Sequence, residues 1–262
     1  MVTISIINLK GGVGKTISAV NIAHILAAHY GRRVLIIDND KQGNTTKFFC
    51  RNNAPNTTIA NLLTDKAANV KDAILPTCYL GLSIVPADMG LVTANKQLML
   101  DSTCPQQTRL KKALEPIAGD YDYCIIDNAP DIALNTINAL VASDYVIIPA
   151  KLDKFVLEGL EILIDNICQV KEYFNPQIEL LGAFITMKYN ERRRDNTAFY
   201  EKALEDIKSI TGVEPFATAI NRTGKIDEST YSGKPILEHS RGSVASLGYL
   251  KLTAEILGRM VF

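Results

Sequence analysis

Apolar runs of strand length recur along the chain at residues 2–8, 34–38, 82–86, 123–127, 145–149 and 180–187, with segments of helical character between them. The runs are continuous instead of alternating, the pattern of strands buried on both faces, and strands joined through helices run parallel with right-handed crossovers. The expected fold is therefore α/β: a doubly wound, mostly parallel sheet with helices on both faces. Residues 16–30 form a helix candidate, with Ile17, Val20, Ala23 and Ala27 on one side and Gly31 as its stop. A second helix is expected over 157–173, closed by Asn175 and Pro176. No repeat, low-complexity tract or linker breaks the pattern, so residues 1–262 read as a single domain. Its least regular part lies between 52 and 77, where Asn, Thr and Pro accumulate.

With 47% hydrophobic and 21% charged residues, the 262-residue chain can bury a sizeable core. Lys plus Arg and Asp plus Glu each number 28, so bulk charge supplies no affinity for nucleic acid and any such contact needs a local patch. No run reaches the roughly 18 apolar residues of a membrane span. The first residues lack the basic start and cleavage site of a signal peptide, and a cytoplasmic protein is the expectation. Because the first apolar run opens at residue 2, no helix-turn-helix module is expected before it. The five cysteines are scattered, without a C-x-x-C pair and with only three histidines, which argues against a disulfide framework or a zinc site. Cys124 and Cys168 lie in apolar surroundings and read as small core residues.

The sharpest local signal is Lys10-Gly11-Gly12-Val13-Gly14-Lys15-Thr16, set between an apolar strand and a helix. Glycines let the backbone curl so that successive N–H groups point at phosphate oxygens, and the helix that follows directs its positive end at the same anion. In such a loop Lys15 reaches the β and γ phosphates and Thr16 offers a hydroxyl to Mg²⁺.

An ordinary P-loop has glycine at the position held here by Leu9. The stretch instead resembles the deviant Walker A motif, K-G-G-x-G-K-[ST], of the ParA/MinD family of P-loop ATPases. The resemblance implies ATP and Mg²⁺ as ligands, nucleotide contacts from Lys10, Gly11, Gly12, Val13, Gly14, Lys15, Thr16 and Ile17, and a homodimer formed on ATP binding. In that family the extra lysine, matched by Lys10, reaches the phosphates held by the partner subunit. A cation supplied in trans stabilises the charge on the γ-phosphoryl oxygens only when two subunits meet.

Residues 33–44 are similar to the family's strand followed by D-x-D-P-Q-G-N, which implies that Asp40 positions the attacking water and that Asp38 lies near the magnesium shell. Acids at i and i+2 leaving a strand point to the same side. Lys41 stands where the family usually has proline. Tyr123-Cys124-Ile125-Ile126-Asp127 has the Walker B form, with Asp127 supporting Mg²⁺ through water. The family continues D-x-P-P, and this chain reads Asn128-Ala129-Pro130-Asp131 after that aspartate. Residues 135–140, 146–149 and 157–159 extend the resemblance over almost the whole chain. Where the family holds adenine with a P-x-N pattern, Asn221 and Thr223 occupy the matching places.

The same resemblance implies partition of plasmid or chromosomal DNA: an ATP dimer bound to nonspecific double-stranded DNA on the nucleoid and released when a ParB-like centromere-binding protein stimulates hydrolysis. Cations cluster at Lys188, Arg192, Arg193 and Arg194 and at Arg222, Lys225 and Lys234; Arg194 and Lys225 best match the family's DNA contacts, although such runs also serve as solvated loops. Two other readings stay open: a MinD-like positioning ATPase on a membrane, and a ParA-like accessory ATPase of conjugative DNA transfer. Residues 243–262 have Leu247, Leu250, Ala254, Leu257 and Val261 at helical spacing but only Lys251 and Arg259 as cations within that helix, which favours a helix packed on the sheet over a membrane anchor. A nitrogenase-iron-protein-like reductase needs a cysteine after the Walker B strand, and 128–133 contains none. A biosynthetic P-loop ligase would keep an ordinary loop in place of Lys10.

Overall fold

The computed structural model describes residues 1–50, 56–152, 154–188 and 195–260, with the side chains of 154–158 and 195–197 left aside. Seven strands form one sheet: β1 (Val2–Ile6), β2 (Val34–Asn39), β3 (Leu75–Pro76), β4 (Leu82–Val85), β5 (Tyr123–Asn128), β6 (Tyr145–Lys151) and β7 (Glu179–Thr186). Their order is β3-β4-β2-β5-β1-β6-β7. All pairings are parallel except that of β3 with β4. The expected mostly parallel sheet is observed. The added antiparallel edge strand, β3, is only two residues long and carries no periodic signal.

Helices flank the sheet in chain order: α1 (Lys15–Ala28), α2 (Asn44–Phe49), α3 (Ile59–Thr64), α4 (Val70–Ala73), α5 (Gly90–Leu100), α6 (Arg109–Leu114), α7 (Leu134–Val141), α8 (Lys154–Tyr173), α9 (Asp195–Thr211), α10 (Gly224–Ser232), α11 (Ile236–His239) and α12 (Val244–Arg259). The stretch expected to be least regular thus holds two short helices and the edge strand.

Alternate residues of each strand face opposite layers. Ile4, Val34, Ile36 and Ile125 pack with α1 and α12, whereas Leu35, Ile37, Cys124 and Ile126 pack with α3, α5 and α6. Farther along, Val146, Ile148 and Ile185 pack against α8. Both sides of a strand must then be apolar, which is why the runs are continuous.

Three sequence expectations need correction. Helix α1 does not bury a single stripe: it is buried nearly all round, because α12 packs against it while it packs on the sheet. Helix α12 does pack on this layer, chiefly through Ala245, Tyr249, Leu252 and Ile256; of the expected stripe Leu250 and Leu257 pack partly buried against the same core, Leu247 and Ala254 face outward, and Val261 lies outside the described residues. Cys124 is buried, but Cys168 is exposed, because α8 buries Leu160, Leu163, Ile167 and Val170 and Cys168 falls on the opposite side.

β1 lies between β5 and β6. The chain leaves β1 toward β2 on one side and crosses from β5 over β1 to β6 on the other. The loop at the carboxyl end of β1 consequently opens into the crevice where ligands of doubly wound sheets bind.

Candidate nucleotide site

The loop 9–14 leaves β1 and enters α1 through Gly12 (φ 72°) and Gly14 (φ 87°), left-handed conformations that favour glycine. No other atom lies within 4 Å of where side chains at Gly11 and Gly12 would begin, so the outer rim of the loop is open to a ligand. Its inner side is braced. Asn8, which is buried, accepts from the Lys10 N–H at 2.9 Å and donates to the Pro149 carbonyl on β6 at 2.9 Å. The Thr186 hydroxyl at the end of β7 donates to the Val13 carbonyl at 2.9 Å. The Lys15 ammonium curls back and donates to the Lys10 carbonyl at 2.8 Å. Burial lowers the Lys15 pKa, and the charges of Asp127, Asp40 and Asp131 oppose that shift.

Strands β2 and β5 pair Asp38 directly with Asp127 beneath this loop. Burial is the main force raising both pKa values, and the charge of Asp38 adds to the rise at Asp127. The hydroxyls of Thr45 and Thr16 and the Lys15 ammonium favour the ionised form of Asp127. One Asp127 oxygen, Oδ2, accepts from the Thr45 hydroxyl at 2.7 Å; the other, Oδ1, is buried with no hydrogen-bond partner. An orphaned carboxylate oxygen in that position is costly unless something outside the chain satisfies it. A hydrated Mg²⁺ fits: a hard cation that keeps its waters and takes few protein donors, here the Asp127 carboxylate and the Thr16 hydroxyl. The described residues contain no cluster of three or more His, Cys, Asp or Glu able to hold a metal by themselves.

Asp38 is engaged otherwise. Its Oδ2 accepts from the Thr46 N–H and hydroxyl, each at 2.7 Å, and its Oδ1 from the Asp40 N–H at 3.2 Å. These bonds anchor the loop after β2, and Oδ1, with one long bond, keeps a lone pair. Asp40 accepts from the Gln42 N–H at 2.9 Å through one oxygen. Lys41 lies 3.9 Å from Asp131, joining the loops that follow β2 and β5.

A cavity of about 210 Å³ opens beside the loop, lined by Gly14, Ile17, Thr186, Met187, Thr223 and Tyr249 among others. Thr223 and Ile17 are thus on its wall. Asn221 forms a backbone bridge with Lys188 beside the cavity, and its neighbour Arg222 lines it. Thr223 also caps α10 by accepting from the Lys225 N–H at 3.3 Å. The Lys225 ammonium pairs with Glu228 at 2.7 Å on the surface. Arg192, Arg193 and Arg194 lie outside the described residues.

Sequence reasoning missed Asn8, Thr45, Thr46 and a buried amide network. In that network Asn39 donates to Asn128 at 2.8 Å, and Asn135 donates to the Asn39 side-chain oxygen at 3.1 Å. Short polar residues flanking strands are common, and only the register of β2 against β5 reveals what these touch.

A parallel sheet, a glycine loop entering a helix at its crevice, a buried lysine and a buried aspartate pair define a P-loop nucleotide-binding protein of the deviant Walker A type. A family model described as an AAA domain matches residues 1–180. The chromosome partitioning protein ParA of Caulobacter vibrioides is 36% identical over 259 residues, covering 98% of this chain and 94% of that protein. The sporulation initiation inhibitor protein Soj of Bacillus subtilis is 36% identical, covering 97% of each chain. Among solved structures, cobyrinic acid a,c-diamide synthase from Mycobacterium smegmatis, with bound ATP analogue and magnesium, superposes with a TM-score of 0.81 at 26% identity, covering 98% of this chain and 94% of that one. The chain belongs to the ParA/MinD family of P-loop ATPases, among its ParA/Soj-type members.

Proposed function

We propose that this protein is a Mg²⁺-dependent ATPase of DNA partition whose ATP-bound dimer holds nonspecific double-stranded DNA. The observation that carries the nucleotide half of the reading is the buried, unpartnered Oδ1 of Asp127 beside Thr16 and Lys15, a position suited to a hydrated cation carrying a polyphosphate. Lys15 binds the β and γ phosphates, with N–H groups of residues 11–16 around them. When bound, magnesium neutralises charge on the β and γ oxygens. Thr16 and Asp127 hold it, and Asp38 steadies the loop that carries Asp40. Asp40 orients the attacking water. Lys10 of one subunit completes the site of the other.

The near full-length similarity to ParA and Soj supports the partition half. Arg194 and Lys225 contact DNA phosphates, and pairing two subunits doubles a modest patch, which a chain of zero net charge needs. Lys225 must exchange Glu228 for phosphate, and binding falls with salt because each neutralised phosphate releases a counterion. A ParB-like centromere-binding protein stimulates hydrolysis and releases the dimer from the nucleoid.

The test is retention on nonspecific duplex DNA with Mg·ATP against Mg·ADP at rising salt. Strong retention with ATP alone, lost as salt rises, is the expected result. Equal retention in both states, or none in either, overturns the DNA reading and makes lipid vesicles the next surface to try.

A further inference from the structure

The last turn of α12 lies against the segment that leads into the cavity beside the P-loop. Arg259 donates through Nη1 to the carbonyls of Leu181 at 2.8 Å and Glu214 at 2.6 Å, and through Nη2 to that of Pro215 at 2.8 Å. Its guanidinium stacks 4.0 Å over the Phe216 ring. Nη2 also pairs with Glu255 at 3.0 Å. The two oxygens of Glu255 in turn accept from the N–H groups of Ala217 at 2.8 Å and Thr218 at 3.0 Å. Two side chains one helical turn apart therefore hold every residue from 214 to 218. The seat is built for the guanidinium: a side chain at Gly182 (φ 137°) would begin 2.8 Å from Arg259 Nη1.

From that anchor the chain runs alongside β7 toward the P-loop. Phe216 donates to the Ala183 carbonyl and Ile220 to the Ile185 carbonyl, each at 2.8 Å, and Arg222 to the Lys188 carbonyl at 2.9 Å. This track ends at Arg222 and Thr223 on the cavity wall. The same helix reaches the opposite wall, where the Tyr249 hydroxyl lies 3.1 Å from the Ser18 hydroxyl of α1.

We propose that Glu255 and Arg259 are positioning residues of the nucleotide site. They set the height of the 220–223 segment along β7, and so determine how well the cavity receives the nucleoside, without touching the ligand. The proposal rests on the nucleotide reading above. An arginine suits the task because its planar fork fixes several carbonyls in one orientation, which a lysine cannot reproduce.

The test separates the nucleoside from its phosphates by titrating the full-length protein with Mg·ADP and with Mg·tripolyphosphate in a calorimeter. Arg259→Ala is expected to weaken ADP about tenfold, as a slightly displaced wall loses contacts to the nucleoside. Tripolyphosphate, which meets only the P-loop, should bind within about twofold of wild type, near the scatter of such comparisons. Glu255→Gln keeps one acceptor and should shift ADP in the same direction by less; it carries the test if Arg259→Ala loses its cooperative thermal transition. Equal losses for both ligands, or no loss for either in a folded variant, overturn the positioning role. Wild-type protein that binds neither ligand overturns instead the nucleotide reading on which it rests.

Discussion

Lys15 illustrates how burial sharpens a single side chain. In water an ammonium beside a carboxylate gains little, but this ammonium is largely removed from solvent, feels Asp127, Asp40 and Asp131, and is held on the Lys10 carbonyl, where the proposed phosphate would meet it. Replacing Lys15 with alanine should weaken ATP binding on the order of a hundredfold, the upper range for hydrogen bonds to charged groups. Asp40→Ala should bind ATP normally and hydrolyse it about a hundredfold or more slowly, the usual cost of removing a positioned general base. Equilibrium binding and single-turnover hydrolysis, measured side by side, check both; normal turnover in either variant contradicts its role. At this scale Lys10 to Thr16 were legible in the sequence because they are consecutive. Thr45 and Asn8 were not, because their partners Asp127 and Pro149 lie far along the chain.

Apart from β3, the strands were legible as elements because their central residues meet apolar layers on both faces of the sheet. Helix α12 was legible as a helix but not in its orientation. Leu247, Leu250, Ala254 and Leu257 are spaced as well as Ala245, Tyr249, Leu252 and Ile256, but the second set is fully buried against α1 and the sheet, whereas in the first Leu250 and Leu257 pack only at its edge and Leu247 and Ala254 face outward. Leu252→Ala should therefore destabilise the protein by about 2–5 kcal/mol through an internal cavity. Leu247→Ala should change stability by no more than about 0.5 kcal/mol. Urea denaturation of the two variants distinguishes them, and a reversed order would place the wrong face inward.

At the scale of the whole molecule, the exposed rim of the loop at Gly11 and Gly12 leaves the candidate nucleotide site open on one side, the side the proposed dimer would close. If Lys10 acts across that junction, Lys10→Ala should bind ATP with nearly wild-type affinity yet stay monomeric in Mg·ATP by light scattering. An ATP-dependent dimer of that variant would assign the trans cation elsewhere. The sequence by itself determined the sheet, the loop that grips phosphate and the family, since hydrophobic periodicity and a contiguous glycine motif are local patterns that survive in one dimension. Only the tertiary structure decided that Asp38 anchors a loop while one Asp127 oxygen is left without a partner, that Arg222 lines the cavity while Asn221 bridges Lys188, and that Glu255 and Arg259 hold residues 214–218. Those outcomes depend on strand register and on contacts between residues distant in sequence, and no local pattern encodes which buried polar group finds which partner.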